Sequence, residues 1–315
     1  MKISIVTPSF NQCEFLEETL LSLLNQDYSN LELIVIDGGS TDGSVDVIKK
    51  YDSQISFWVS EKDRGQSHAI NKGFERCTGD IVAWLNSDDL YTQNTLKRVF
   101  EIFDSRPDLD FIHGDSNLFD KSGALSSRAF RPEIYQAQLL GGMPSPQPSY
   151  FFRRQLLSKT GRLNEDLHFG MDYDFFLRMS LLGKGEYFKA VWSKYRIHSS
   201  SKTETAKVSF AEDWNRVFTG LIKSFKSEEL IASWSKYGLA ADSDLNYDTS
   251  KVTFEDLKLA AGIALYHQSV FYNQAGELKK SLELLKHLKK DYPSIFNHFG
   301  VNKYYLKLKV KNLFS

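Results

Sequence analysis

The chain has 315 residues, 42% of them hydrophobic and 25% charged, an ordinary globular composition that excludes a disordered or collagen-like chain. Its 39 Lys and Arg balance 40 Asp and Glu to a net charge of −1, so no nucleic-acid partner is expected. Two cysteines, Cys13 and Cys77, cannot scaffold a chain of this length with disulfides. Residues 3–7 make too short an apolar run for a signal peptide. No run of about 18 apolar residues occurs to span a bilayer, and a cytoplasmic location is expected.

Residues 1–116 alternate strand and helix patterns. Residues 3–7 and 31–36 (Leu-Glu-Leu-Ile-Val-Ile) are β-rich, and between them Phe15, Leu16, Thr19, Leu20, Leu23 and Leu24 recur at helical spacing after Asn11. Ser40-Thr41-Asp42 offers a helix cap before Val45, Ile48 and Tyr51. Residues 55–59 form a third expected strand, 67–76 a helix closed by Gly79, and 81–85 a fourth strand, apolar throughout and so expected to be buried on both faces. A helix over 92–103 and a strand at 111–113 follow. Such alternation implies an α/β fold with a mostly parallel sheet flanked by helices, whose ligands bind beyond the carboxyl ends of the strands.

That rule selects four loops. After residue 7 come Pro8, Ser9, Phe10 and Asn11; after residue 36, Asp37-Gly38-Gly39-Ser40-Thr41-Asp42-Gly43; after residue 59, Glu61, Asp63 and Arg64; after residue 85, Asn86-Ser87-Asp88-Asp89. Each alone reads as an ordinary turn or helix start; together they bring acids, amides and a cation to one sheet edge. Adjacent carboxylates repel unless a cation sits between or beside them. Hard oxygen ligands suit Mg2+ or Mn2+ bound through one or two carboxylates plus a substrate diphosphate. A nucleotide-diphosphate substrate is therefore expected, held without a Gly-x-x-x-x-Gly-Lys loop.

The residues that carry this reading, Ile3-Ser4-Ile5-Val6-Thr7-Pro8-Ser9-Phe10-Asn11-Gln12, Ile36-Asp37-Gly38-Gly39-Ser40-Thr41-Asp42-Gly43, Asp63-Arg64-Gly65-Gln66, Asn71-Lys72-Gly73-Phe74 and Thr78-Gly79-Asp80 running on to Asp88-Asp89, resemble family 2 glycosyltransferases over roughly residues 1–200. The resemblance implies the GT-A fold, a nucleotide-sugar donor, a divalent metal (Mn2+ or Mg2+) and inversion at the anomeric carbon. By position it makes Asp89 the direct metal ligand and Asp88 a second metal-side acid that holds sugar or ribose hydroxyls. Pro8, Ser9, Phe10, Asn11 and Glu14 match the nucleoside segment, with Phe10 a stacking ring. Asp37 falls in the loop that reads the base; many relatives carry two adjacent Asp there, whereas this chain has Asp37-Gly38. Arg64 lies where a basic side chain approaches phosphate, and Asn71 and Lys72 belong to the helix flanking the donor.

An inverting transfer needs a base on the acceptor side. Gly170-Met171-Asp172-Tyr173-Asp174 resembles the family's later acidic motif, which puts Asp172 at the base position; the alternative is that Asp172 only caps its helix. Asp174 reads as the i,i+4 partner of Arg178. Gln147 and Met171 fall on the expected acceptor side. Arg196-Ile197-His198 resembles a closing Arg-x-His segment, in which His198 either joins the metal site or remains a surface histidine. Residues 117–200 are less regular: a helix is expected over 172–182, short strands over 186–190 and 193–197, and a Pro-dense loop over 141–148.

The expected division is a GT-A domain over residues 1–203, with a nucleotide-binding half (1–116) and an acceptor half (117–203), and a helical extension over 204–315. From Lys279 onward nine Lys face only Glu283 and Asp291, with Tyr304, Tyr305, Leu306, Leu308, Val310, Leu313 and Phe314 interleaved. This basic amphipathic segment either lies on an anionic membrane surface or packs as a terminal helix with Lys in water. The expected activity is transfer of a sugar from a nucleotide diphosphate donor, UDP-linked, to a hydroxyl of a glycan or lipid-linked acceptor in surface-polysaccharide assembly. The alternatives are a non-catalytic glycan- or partner-binding protein on the same scaffold and a sugar-nucleotidyltransferase, which the missing Gly-rich basic N-terminal loop disfavours.

Overall fold

The structure, a computed structural model, describes residues 1–128, 134–199, 201–202, 206–297 and 300–313. Phe314 and the expected boundary at 203–204 lie outside the described residues, as does the side chain of Leu313. The chain divides into two compact units: Met1–Phe130, Ser145–Met171 and Leu182–His198 form the first, and Arg131–Pro144, Asp172–Leu181 and Ser199–Ser315 the second. This differs from the contiguous division expected from sequence, because two internal segments, including the one that carries Asp172, group with the C-terminal helices.

The first unit is built on one nine-stranded sheet, β1 (Ile3–Ser9), β2 (Leu31–Asp37), β3 (Phe57–Ser60), β4 (Ile81–Trp84), β5 (Leu90–Tyr91), β6 (Phe111–Asp120), β7 (Gly123–Arg128), β8 (Tyr150–Arg153) and β9 (Gly185–Arg196), in the order β3-β2-β1-β4-β8-β6-β9-β5 with β7 on β6. The β3-β2-β1-β4 portion is wholly parallel, and β1 and β4 are buried along their whole length, as expected of strands covered on both faces. Beyond β4 the sheet mixes directions: β8 runs antiparallel to β4 and β6, while β9 runs parallel to β6 and antiparallel to β5. The two short strands expected at 186–190 and 193–197 are one continuous β9, whose register against β6 shifts around Asp115. Strands β5 and β8 carried no alternating or β-rich pattern long enough to be read.

Helices α1 (Cys13–Leu24), α2 (Ser44–Lys50), α3 (Gln66–Arg76) and α4 (Thr95–Ser105) occupy the expected places. Helix α2 starts not on Ser40-Thr41-Asp42 but after Gly43, in a left-handed conformation (φ 99°) that glycine adopts without strain. Asp42 instead accepts from the Ser44 amide and, at 2.9 Å, from the Cys13 amide, tying the start of α2 to the start of α1. The core gathers Ile3, Ile5, Leu16, Leu20, Leu33, Val35, Ile81, Ala83 and Phe151 between sheet and helices. Helix α3 lies so close to β1 that a Cβ at Gly73 would stand 2.2 Å from Val6 Cγ1.

The second unit is helical. Among the described residues it holds α5 (Tyr135–Gly141), most of α6 (Met171–Leu182) and helices over Lys207–Ser224, Glu228–Lys236, Phe254–Gln274, Leu278–Asp291, Pro293–Asn297 and Val301–Leu313. The Pro-dense stretch expected to be loop instead begins on the last residue of α5 and ends in a single turn at Gln147–Ser149. Phe218 and Trp234 pack with ring centroids 4.7 Å apart, and Trp214 meets Phe271 edge-on at 5.2 Å. Asp174, 1% exposed, accepts from Arg178 at 2.7 Å, as its spacing implied, and from the Tyr247 hydroxyl at 2.8 Å. Among the described residues no helix is long and apolar enough to cross a membrane.

The α3–β1 approach is testable. Gly73→Ala gains up to ~1 kcal/mol of helix propensity but drives a methyl into a β-branched side chain with little rotamer freedom. Overpacking of this kind destabilises by ~1–3 kcal/mol, so the variant should unfold at lower urea with an unchanged slope.

Candidate functional site

The four loops converge through backbone hydrogen bonds. Gly38 N donates to Ser9 O at 2.8 Å, Glu61 N to Asp37 O at 3.0 Å, and Leu85 N to Val6 O at 2.9 Å. Ser9 pairs with Asp37 and Asp37 with Ser60 across the ladders, which aligns the carboxyl ends of three neighbouring strands. Pro8 and Ser9 are buried at the end of β1, whereas Phe10 is 59% exposed. Asn11 (φ 52°) accepts the Thr41 amide through its side chain and donates its own amide to Ser40 Oγ at 2.7 Å, joining the first two loops. Glu14 points into solvent and pairs with Lys121 at 2.7 Å; that hydrogen bond holds its carboxyl below the usual range.

Asp37 is fully buried, and its two oxygens already accept four hydrogen bonds, from the Gly39 and Ser40 amides and the Ser40 and Ser60 hydroxyls. Three of these fall on Oδ1 and one, from the Ser40 hydroxyl, on Oδ2, so Asp37 fixes the shape of its loop from a fully buried position. Arg64 is engaged by Glu165 at 2.8 Å. Asn71 brackets Leu163 by accepting its amide at 2.9 Å and donating to its carbonyl at 3.0 Å, and Lys72 pairs with Glu61. Gln147 donates to Trp84 O at 2.8 Å and accepts from Asn86 at 3.1 Å; Met171 is buried beside Ser67. These expected contact residues thus build the walls of the edge.

The acidic end of β4 is the most heavily organised part. Asp89 is 1% exposed, and burial, together with the neighbouring charge of Asp88, drives its carboxyl well above the usual range. Its Oδ1 accepts the Arg196 amide at 3.0 Å. Asp88 is the accessible member, its side chain 21% exposed and its Oδ2 3.0 Å from His198 Nε2. Arg196 gathers the turn: its Nε donates to Asp88 O at 2.8 Å, an Nη pairs with Glu18, and its guanidinium lies 4.8 and 4.5 Å from the Phe15 and Phe119 rings. His198 also packs on Phe15 at 4.6 Å. Arg196 was not among the expected site residues, although the Arg-x-His spacing that drew attention to His198 contains it.

The expected metal-side acids Asp88 and Asp89 stand at this turn, with His198 against Asp88. Among the described residues no three His, Cys, Asp or Glu side chains form a group able to enclose a metal ion. Asp89, expected to be the direct ligand, is the more deeply buried carboxylate and faces Arg196. The donor chemistry fits the open mode in which one or two carboxylates hold a divalent cation and a diphosphate supplies further oxygens; a cation there would also relieve the repulsion between Asp88 and Asp89.

Asp172 belongs to the second unit and is the second residue of α6, accepting the Tyr173 amide at 2.8 Å. Burial pushes its carboxyl up to about 6, against the lowering effect of the amide.

Known proteins align with this architecture. The sequence profile of glycosyl transferase family 2 matches residues 4–161. TuaG of Bacillus subtilis, named for teichuronic acid biosynthesis, is 36% identical over 107 residues, covering 33% of this chain and 42% of its own. TarS residues 1–349 of S. aureus, solved with UDP-GlcNAc, superpose with a TM-score of 0.60 at 18% identity over 93% of this chain and 92% of TarS 1–349. The mannosyltransferase PcManGT of Pyrobaculum calidifontis, solved with GDP-Man and Mn2+, gives a TM-score of 0.58 at 16% identity over 99% of this chain and 87% of its own. The fold is GT-A.

Arg196→Ala should remove the donor to Asp88 O, the partner of Glu18 and the cation on two rings. Losses of this kind sum to about 2 kcal/mol or more, measurable by chemical denaturation.

Proposed function

We propose, from the premise that this chain belongs to glycosyl transferase family 2, that it is an inverting glycosyltransferase of surface-polysaccharide biosynthesis, moving a sugar from a nucleotide diphosphate donor to a hydroxyl of a glycan or lipid-linked acceptor. The observation that carries the reading is the convergence of the β1–β4 loops on the turn that holds Asp88 and the buried Asp89. A UDP-linked donor is the first to test; the UDP-GlcNAc of TarS and the GDP-Man of PcManGT mark the two nucleotide classes to compare. Asp88, with Asp89 beside it and His198 orienting it, would hold Mn2+ or Mg2+. When bound, such a cation neutralises charge on the departing diphosphate.

The remaining chemistry falls to the chain. Asp172 takes the proton of the acceptor hydroxyl as that oxygen attacks the anomeric carbon from the face opposite the diphosphate. A base must be deprotonated, and its carboxyl is pushed up to about 6. Transfer should therefore fall about tenfold per pH unit below that value and level off above it. Asp172→Asn should retain donor binding in calorimetry and lose transfer by 100-fold or more, read as release of nucleoside diphosphate from donor and acceptor together. Full turnover in that variant would remove Asp172 from the role.

The helix Val301–Leu313 supports a membrane-surface location for this reaction. Val301, Tyr305 and Leu308 are buried, while Leu306 and Val310, one turn apart, are 61% and 55% exposed. Lys303, Lys307, Lys309 and Lys311 are exposed, and no acid occurs after Asp291. An exposed apolar pair among lysines suits an anionic lipid surface, where each Lys contributes ~1 kcal/mol. Leu306→Asp with Val310→Asp should abolish co-sedimentation with phosphatidylglycerol vesicles and leave the thermal midpoint unchanged; equal sedimentation would remove the membrane from the proposal.

A further inference from the structure

Four acids lie at the end of β2 and in the loops that follow β2 and β3, and three are already engaged. Asp37 is fully buried, with three donors on Oδ1 and the Ser40 hydroxyl on Oδ2. Asp42 holds the Cys13 and Ser44 amides and the Ser44 hydroxyl. Glu61 pairs with Lys72. Asp63 differs: Oδ1 accepts the Gly65 amide at 2.8 Å, and among the described residues no donor reaches Oδ2.

That oxygen lies over Gly38. A Cβ at Gly38 would stand 2.7 Å from Asp63 Oδ2 and 3.2 Å from Phe10 Cδ2. The missing side chain thus lets a carboxylate and an aromatic ring close on the same point. The Phe10 ring is 59% exposed, a large apolar face left in water. Beside it Ser9, whose carbonyl accepts the Gly38 amide, is 3% exposed, and its Oγ has no hydrogen-bond partner among the described residues. An exposed ring, an unengaged carboxylate oxygen at its edge and an unsatisfied buried hydroxyl make a set complementary to a planar group with an apolar face and a polar rim.

We infer that Asp63, admitted by Gly38, is the residue that selects the donor's base: its Oδ2 accepts a ring N–H of a uracil or guanine stacked on Phe10. This rests on the reading of the β1–β4 edge as a nucleotide-sugar site and adds to it a specificity determinant other than Asp37. A carboxylate accepts and cannot donate. It therefore favours bases with a ring N–H at that edge and disfavours cytosine and adenine, whose ring nitrogens there carry lone pairs.

The test is calorimetric titration of the full chain with UDP, GDP, CDP and ADP in Mn2+, and with the N3-methyluracil or N1-methylguanine form of whichever binds best. UDP or GDP should bind at least tenfold more tightly than CDP and ADP. Asp63→Asn keeps a carbonyl oxygen for the Gly65 amide but loses an acceptor, and should weaken the best ligand about 10- to 100-fold. The methylated ligand should bind the wild type weakly and lose nothing further in the variant, the coupling expected of two groups in contact. Gly38→Ala, free of backbone strain because its φ is not positive, should push Asp63 and Phe10 apart and weaken binding in the same direction. Tight binding of UDP or GDP that neither substitution changes would overturn the inference and leave the donor-site reading standing. Failure of all four diphosphates to bind would overturn both.

Discussion

Two adjacent carboxylates at the end of a buried strand set the terms for the first unit. At low effective dielectric the mutual repulsion of Asp88 and Asp89 is several-fold stronger than in water, so the turn after β4 stays in place only if other elements hold it. Arg196 provides that restraint from 107 residues further along the chain. The arrangement follows from topology: β5 begins at the residue after Asp89 and pairs antiparallel with β9, with Leu90 opposite Lys194. This pairing carries the Arg196 amide to Asp89 and its guanidinium to the Asp88 carbonyl. A strand of two residues thereby positions the acidic turn.

The other acids of the edge divide between architecture and chemistry, and residue type does not distinguish them. Asp37 and Asp42 are acceptors for backbone amides that strand ends and helix starts leave unpaired, and they convert flexible Gly-Ser-Thr loops into fixed ones. Asp63 performs the same service with one oxygen only. The difference lies in how many donors each loop brings within reach, and that number is a property of three-dimensional closure.

This explains what was legible in the sequence. Helical periodicity marked α1, α3 and α4, and continuous apolar runs marked β1, β2 and β4, because their burial is nearly one-sided or complete and leaves a pattern. The edge that collects the four loops followed from alternation alone. Strand β8, Tyr-Phe-Phe-Arg, was too short to carry a pattern. The division of β9 into two strands reflected its register shift, where Gly114 comes so close to β9 that a Cβ there would stand 2.7 Å from the Ala190 carbonyl. The grouping of 131–144 and 172–181 with the helical unit could not be read, because periodicity reports a segment's own face and not the segment that covers it. The partners of Asp37, Arg64 and Asn71 escaped for the same reason.

The segment Asn71-Lys72-Gly73-Phe74 shows why a recognisable motif need not be a contact motif. Asn71 satisfies both backbone groups of Leu163, and Lys72 neutralises Glu61. Gly73 allows α3 to touch Val6, and Phe74 sets its edge against Trp84 and Phe152, each with centroids 5.9 Å away. Every one of the four residues fixes α3 to something else, and Trp84 is the residue on which β4 ends. A helix anchored this way holds still the strand that delivers Asp88 and Asp89, and preorganised charge is worth more than charge that must be gathered when the ligand arrives. The motif's constraint is thus mechanical: it keeps the end of β4 where the acidic turn requires it, through packing that a nucleotide need never touch.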